Sequence, residues 1–284
     1  MSNQKIAIIT DSSALIPLEE QAGLNIFTIP LWLIWDNENY QDGIDISPSQ
    51  FFSRLKGSKT LPTSSQPTAK EFENFYRKIL VEADAIVNVL ASSNISGTVT
   101  CAERAAAQLP DEEIYVVDSL SSAMGQGLIT LVAARAAAEG KSPQEVVRIA
   151  QETRDKTHLL FVVDTLEYLH KGGRISGGKR LLGTALQIKP ILHFEEGFIR
   201  PYSQARTNRK AIALLLDIAE KRLAGKKMAE IAVMDVDAPH EGDVLAERVK
   251  ERFAPLKIFR SGVSPVVGTH VGPGTVGIAF YGED

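Results

Sequence analysis

Apolar positions in the first half of the chain follow two kinds of pattern. Lys5–Thr10 is a mostly apolar run that ends in Asp11-Ser12-Ser13, and Phe27–Trp35 is a second run. Ala85–Ala91 and Ile114–Asp118 are two more, each followed by serine-rich residues and then a helical pattern. Short apolar runs bounded by polar turn residues predict buried strands. Between Pro67 and Ala83, the residues Phe72, Phe75, Tyr76, Ile79, Leu80 and Ala83 recur at i, i+3, i+4 spacing, which predicts a helix with one apolar face. The order βαβα, with polar loops at the strand C-termini, favours a parallel or mixed sheet covered by helices.

A helix is predicted from Pro143 to about Lys156: Ser142 can cap it, Pro143 suits the first helical position, and Glu145 completes a capping box. Beyond it the pattern changes. Leu159–Val163 predicts a strand and Leu166–Lys171 a short helix ended by Gly172. Leu186–Phe194 and Phe198–Tyr202 flank Glu195-Glu196-Gly197 as an antiparallel hairpin. A long helix follows over Thr207–Ala224, with Leu214, Leu215, Ile218 and Leu223 inward, then strands at Ile231–Val236, Leu256–Arg260 and Val276–Tyr281 and a helix near Glu241–Phe253. This change of pattern places a domain boundary near residue 155, giving an N-terminal α/β domain over 1–155 and a C-terminal one over 156–284.

The length of 284 residues suits two domains that each bury a core. A formal charge of −4 supplies no general basic field for a nucleic-acid backbone, so nucleic acid is not an expected partner. The single Cys101 cannot form an intramolecular disulfide, no Cys/His spacing resembles a zinc site, and no metal or cofactor is expected. Ile6–Ile9 is too short an apolar stretch for a signal peptide or a membrane span. The expectation is a soluble cytoplasmic protein without stable membrane insertion, with transient contact to a membrane surface left open.

Four small polar clusters carry the candidate chemistry: Asp11-Ser12-Ser13, Thr63-Ser64-Ser65-Gln66-Pro67, Ser92 to Thr98, and Gly268-Thr269-His270-Val271-Gly272-Pro273-Gly274. Hydroxyls ahead of helices commonly serve as caps. If several converged on one side of a sheet, they would instead make an anion-binding crevice of N–H and hydroxyl donors. His270 is read as part of a Gly- and Pro-rich loop, which lacks the Gly-Lys-Ser/Thr ending of a nucleotide P-loop. The stretch Lys171 to Arg180 is basic and glycine-rich, and Arg206, Arg209 and Lys210 open a helix, the end that disfavours positive charge. Either group is a solvated rim or a contact for phosphate or an acidic partner.

Taken in order, these motifs resemble the DegV family of bacterial fatty-acid-binding proteins. The matching residues are Ile9-Thr10-Asp11-Ser12-Ser13, Asp42-Gly43, Thr63 to Pro67, Ser96-Gly97-Thr98, Val117-Asp118-Ser119, Asp164 to Leu169 running into Lys171-Gly172-Gly173-Arg174-Ile175, Lys189-Pro190-Ile191, Arg206-Thr207, and His270 to Gly274. The resemblance implies a Rossmann-like N-terminal domain and a C-terminal α/β domain with a largely antiparallel sheet. Together they would form one DegV domain over about 3–282, enclosing a long-chain fatty acid between its halves. It implies no catalysis by the chain itself: the carboxylate would be presented to a separate ATP-dependent fatty acid kinase subunit, which converts it to acyl phosphate for phospholipid synthesis. Carried over residue by residue, Ser64 or Thr63, Ser96 and His270 would hold the carboxylate. Gly97 would let the backbone approach, and Arg174 and Arg206 would face the kinase or its phosphoryl group. The family often has Thr at the position of Ser64, and either hydroxyl can donate. Asp11, Ser12 and Thr98 would support these loops. Tunnel-lining candidates are Ile29, Leu31, Leu33, Phe161, Leu186, Ile191 and Phe280. Two alternatives stand: a hydrolase using Ser96 and His270 with Asp164, Asp235 or Asp237, and a lipid-sensing module with no kinase partner. Chain-length preference and oligomeric state are not legible.

Overall fold

A computed structural model describes residues 4–176 and 188–283. β1 (Ile6–Asp11) is buried at every position and carries Asp11 at its C-terminal end, where a single 3-10 turn (Ser12–Ala14) follows. After α1 (Leu18–Gln21) comes β2 (Ile26–Ile29), which pairs parallel to β1. The sequence suggests one strand over 27–35; the structure has two, in different sheets. Pro30 lacks an N–H for the ladder and divides the run. β3 (Trp32–Trp35) then pairs antiparallel with β4 (Glu38–Gln41) through Asp36-Asn37, both at positive φ as a two-residue hairpin turn requires.

α2 (Pro48–Gly57) is an element the pattern reading passes over, although Ser47 and Gln50 form a capping box and Pro48 opens the helix. β5 (Thr63–Ser65) corrects another expectation. The Thr63–Pro67 cluster is not a helix cap but a strand beside β3, with Leu33 opposite Ser64. The following helix, α3 (Ala69–Ile79), takes its cap from Thr68, with Glu71 closing the box.

β6 (Ala85–Leu90), α4 (Thr98–Ala106) and β7 (Glu113–Asp118) complete the first sheet, four parallel strands in the order β2-β1-β6-β7. Its two faces feed separate cores: Ala7 and Ile9 pack with α3 and α4, while Ile6 and Ile8 pack with residues of the next two helices. These are α5 (Ala123–Ala138), apolar around its whole circumference, and α6 (Pro143–Lys156), whose Ser142–Glu145 capping box is present.

The second sheet begins with β8 (His158–Val162), after which come α7 (Glu167–Lys171), β9 (Lys189–Glu195) and β10 (Phe198–Ala205). α8 (Asn208–Leu223), β11 (Lys227–Asp235), α9 (Pro239–Phe253), β12 (Lys257–Ser261), α10 (Pro265–Val271) and β13 (Val276–Glu283) follow. The six strands run β10-β9-β8-β13-β11-β12, antiparallel except for β11 beside β12. The β9–β10 hairpin turns at Glu196-Gly197, both at positive φ. Side chains alternate across this sheet: Leu160, Val162, Ile231 and Val233 meet α8 and α9, while Leu159, Phe161, Ala232 and Met234 face the N-terminal part. α5 packs against both large sheets, which explains why it has no polar face.

Candidate functional site

Parallel strands leave their C-terminal loops along one edge, and here those loops are the polar clusters. β1 exits through Ser12-Ser13, β6 through Ala91–Gly97 and β7 through Ser119–Ser122. Between this edge and the inner face of the six-stranded sheet lies a cavity of about 920 Å³, counting its open mouth. Phe161, Phe194, Ile199 and Met234 line it from the six-stranded sheet, Val266, Val267 and Val271 from α10, and Leu31, Ala91 and Ile95 from the N-terminal part. Of the expected tunnel residues, Leu31 and Phe161 are in this wall. Ile29, Leu33, Ile191 and Phe280 pack in the cores, and Leu186 lies outside the described residues.

His270 sits in the last turn of a helix, not in a loop as its glycine-rich surroundings suggest. Ser264 caps α10, Pro265 opens it, and the buried Asp42 accepts a hydrogen bond from Val266 N–H at 3.1 Å. The glycines permit close packing: a Cβ at Gly268 would lie 2.6 Å from Phe52, and Gly272, at φ 75°, lies against the Tyr168 ring. His270 Nε2 is 2.7 Å from Ser64 Oγ. Nδ1 is buried without a hydrogen-bond partner among the described residues. Burial, and secondarily the Arg174 charge, push the imidazole down to a pKa of about 4, so it is neutral at ordinary pH. An unpaired buried N–H is costlier than an unpaired lone pair, so the favoured tautomer carries the proton on Nε2 and donates it to Ser64. Ser64 then keeps its own O–H for a ligand.

Thr63 does not share this role. Thr63 is exposed and outside the cavity wall, whereas Ser64 and Ser65 both line it. Ser96 lines the cavity, and its Oγ lies 2.7 Å from Thr98 Oγ1. Thr98 is fully buried at the start of α4, so its hydroxyl braces Ser96. Gly97 occupies the N-cap position, where a Cβ would come within 3.0 Å of Gln66 Nε2. Arg174 lines the cavity, donating through Nε to Ile95 O at 3.2 Å and through Nη1 to Gly172 O at 2.6 Å. Arg206 lies beyond the end of β10, exposed and outside the wall. Gly177-Gly178-Lys179-Arg180 of the basic stretch fall outside the described residues.

Asp11 and Ser12 stand behind the wall. Asp11 accepts from Ala91 N–H at 2.8 Å and Ser13 N–H at 3.0 Å, and burial raises its pKa. Ser12 Oγ donates to Asp42 at 2.6 Å and accepts from Leu31 N–H at 3.0 Å, joining β1 to the loops that carry α10. The sequence reading passes over Ser122 and Thr275 as wall residues and does not single out Ser13, Ser65 or Gln66 within their motifs. Only the strand and helix geometry distinguishes these hydroxyls from caps.

The acids required by a serine hydrolase are engaged elsewhere: Asp164 with Lys189 at 2.6 Å, Asp235 with Arg260 at 2.7 Å, and Asp237 with Lys56 at 2.8 Å. Among the described residues no group of His, Cys, Asp or Glu could hold a metal ion, and no helix is long and apolar enough to cross a membrane.

Two sheets enclosing a mostly apolar cavity, with neutral donors and one arginine among its described wall residues, define an α/β protein built around an interior pocket. The chain belongs to the DegV family, whose sequence profile matches residues 5–283. A DegV domain-containing protein of Clostridium perfringens is 36% identical over 284 residues, covering 98% of this chain and 99% of the relative. Among solved structures, a fatty-acid-binding DegV family protein from Thermus thermophilus superposes with a TM-score of 0.92 at 30% identity, covering 98% of this chain and all of that one. DegV from Bacillus subtilis, described as a fatty acid binding protein, superposes with a TM-score of 0.89 at 31% identity, covering 99% of this chain and 100% of its own.

Proposed function

We propose that this chain binds one long-chain fatty acid, with the tail in the apolar cavity and the carboxylate at Ser64, Ser96 and His270. The observation that carries the reading is the Ser64–His270 pair set in the wall of a mostly apolar cavity. Its relatives from Thermus thermophilus and Bacillus subtilis are described as binding fatty acids, which supports it. Burying about 14 methylenes at ~0.8 kcal/mol each supplies roughly 11 kcal/mol of gross transfer free energy, against ~1 kcal/mol for a neutral hydrogen bond. Affinity then comes from the tail and position from the head. A carboxylate buried without donors would protonate or leave, and the Ser64 and Ser96 hydroxyls with the nearby Arg174 charge answer that need.

On the family resemblance, the chain acts as a cytoplasmic carrier that catalyses nothing itself and offers the bound carboxylate to a separate ATP-dependent kinase subunit. Acyl phosphate made there would feed phospholipid synthesis. Arg174 in the cavity wall and the exposed Arg206 would meet the kinase or the added phosphoryl charge.

Mass spectrometry of lipid extracted from the purified protein should find one fatty acid per chain. Changing Ser64→Ala with His270→Gln should weaken oleate binding by about tenfold. Absence of lipid together with no oleate uptake would overturn the binding assignment. Incubating loaded protein with ATP and candidate kinase subunits from the same cell should yield acyl phosphate; no product with any of them would remove the presentation step alone.

A further inference from the structure

We propose a second polar station in the cavity, at Ser122, that selects fatty acids bearing a neutral oxygen on the chain, a hydroxyl above all. The proposal rests on the fatty-acid reading. Ser122 is the N-cap residue of the 16-residue α5, yet its side chain makes no capping bond. An N-cap serine ordinarily accepts from the N–H two or three residues on. Here the Gly125 and Gln126 N–H groups go to the Ser122 carbonyl, at 3.1 and 3.3 Å. The Met124 N–H reaches only the Met234 thioether, a weak acceptor, at 3.4 Å. Ser122 is 9% exposed, belongs to the cavity wall, and its Oγ has no hydrogen-bond partner among the described residues. The nearby Ser13 hydroxyl, by contrast, is committed to Asp11 and Gln126.

The position along the cavity is separate from the head-group site. The first turn of α5 packs on Leu159, where a Cβ at Gly125 would lie 3.4 Å from the leucine Cβ. Leu159 stands at the start of β8, whereas His270 packs on Gly172 beyond the strand's end. Three residue steps take β8 from Leu159 to its last residue, Val162, about 10 Å. A tail with its carboxylate at Ser64 therefore passes Ser122 in mid-chain. Arg174 is the one charged side chain in the wall among the described residues, and it is engaged with Ile95 O and Gly172 O, so a neutral oxygen suits Ser122. A ligand hydroxyl can accept from Ser122 Oγ–H and can also donate to Ser122. A buried polar group left unpaired by an unsubstituted tail is what turns such contacts into discrimination.

Calorimetric titration of the delipidated protein with stearate, and with hydroxystearates substituted near the carboxylate, at mid-chain and at the methyl end, tests this. The mid-chain isomer should bind about fivefold to tenfold more tightly than the other isomers. Ser122→Ala should abolish the preference and Ser122→Thr should retain it. Equal binding of all isomers, or a preference that survives Ser122→Ala, overturns the proposal. Failure to bind stearate or any isomer would instead overturn the fatty-acid reading beneath it.

Discussion

His270 is held neutral by burial first and by the Arg174 charge second, and the same arrangement ties its protonation to stability. Its folded pKa of about 4, like that of His158, lies below the ordinary value of 6.5. Between these values the unfolded chain binds more protons than the folded one, so stability rises with pH through this window and falls on acidification. Each histidine contributes on the order of 2–3 kcal/mol to that fall. Asp42 works the other way. Burial raises its pKa from 3.8 to about 6, so the folded state holds the extra proton and its contribution is lost as pH rises through 6. In urea titrations between about pH 4 and pH 7, His270→Gln should flatten the acid-side loss, and Asp42→Asn should steepen it. Coinciding slopes for all three proteins would show that these groups do not set the profile. At this scale the sequence named Ser64, Ser96 and His270 but could not separate Ser64 from Thr63, because which of them reaches the cavity depends on how β5 packs.

At the scale of elements, α10 and the turn after α7 locate the imidazole together. Gly172 has φ −72°, which alanine tolerates, but an added Cβ would overlap His270 Nδ1. Gly172→Ala should therefore push the ring from Ser64 and weaken fatty acid binding about tenfold with the fold retained, as read by circular dichroism beside a binding isotherm. Unchanged affinity would remove the imidazole from the head-group site. Thr68 offers a contrast, since its capping box secures α3 after β5 without reaching the cavity. Thr68→Ala should cost about 1 kcal/mol in urea unfolding and leave oleate affinity unaltered. The cap signal at Ser142 is read directly, because a capping box is local, whereas the same signal at Ser47 is passed over. Pro30 and α10 were harder: one residue divides a strand between two sheets, and a glycine-rich segment is helical because Phe52 and Tyr168 pack where side chains would be.

Across the whole molecule, the cavity is closed by bonds between distant parts of the chain. Ser92 Oγ donates to Gly197 O at 2.9 Å, Asn94 to Glu196 O at 2.8 Å, and Arg174 to Ile95 O at 3.2 Å. A ligand filling the cavity binds only the folded state, so oleate at a hundred times its Kd should add about 2.7 kcal/mol of stability. The calorimetric Tm should rise by several degrees, and hydrogen exchange should slow at 92–97 and 196–199 while α8 is unaffected. A Tm indifferent to oleate would show that the cavity takes no such ligand.

The sequence by itself determined the alternation of strands and helices, the antiparallel hairpin around Glu196-Gly197, and, through its ordered motifs, the resemblance to the family. Periodicity, caps and ordered motifs are local signals, and local physics is enough to read them. Only the tertiary structure decided that Ser64 and His270 share a hydrogen bond across 206 positions, that Arg206 stands outside the wall, and that Ser122 lines the cavity with no partner for its Oγ among the described residues. A buried hydroxyl and a capping hydroxyl look alike in a sequence. What separates them is the second sheet that packs opposite the loops, and that surface forms only when the whole chain has folded.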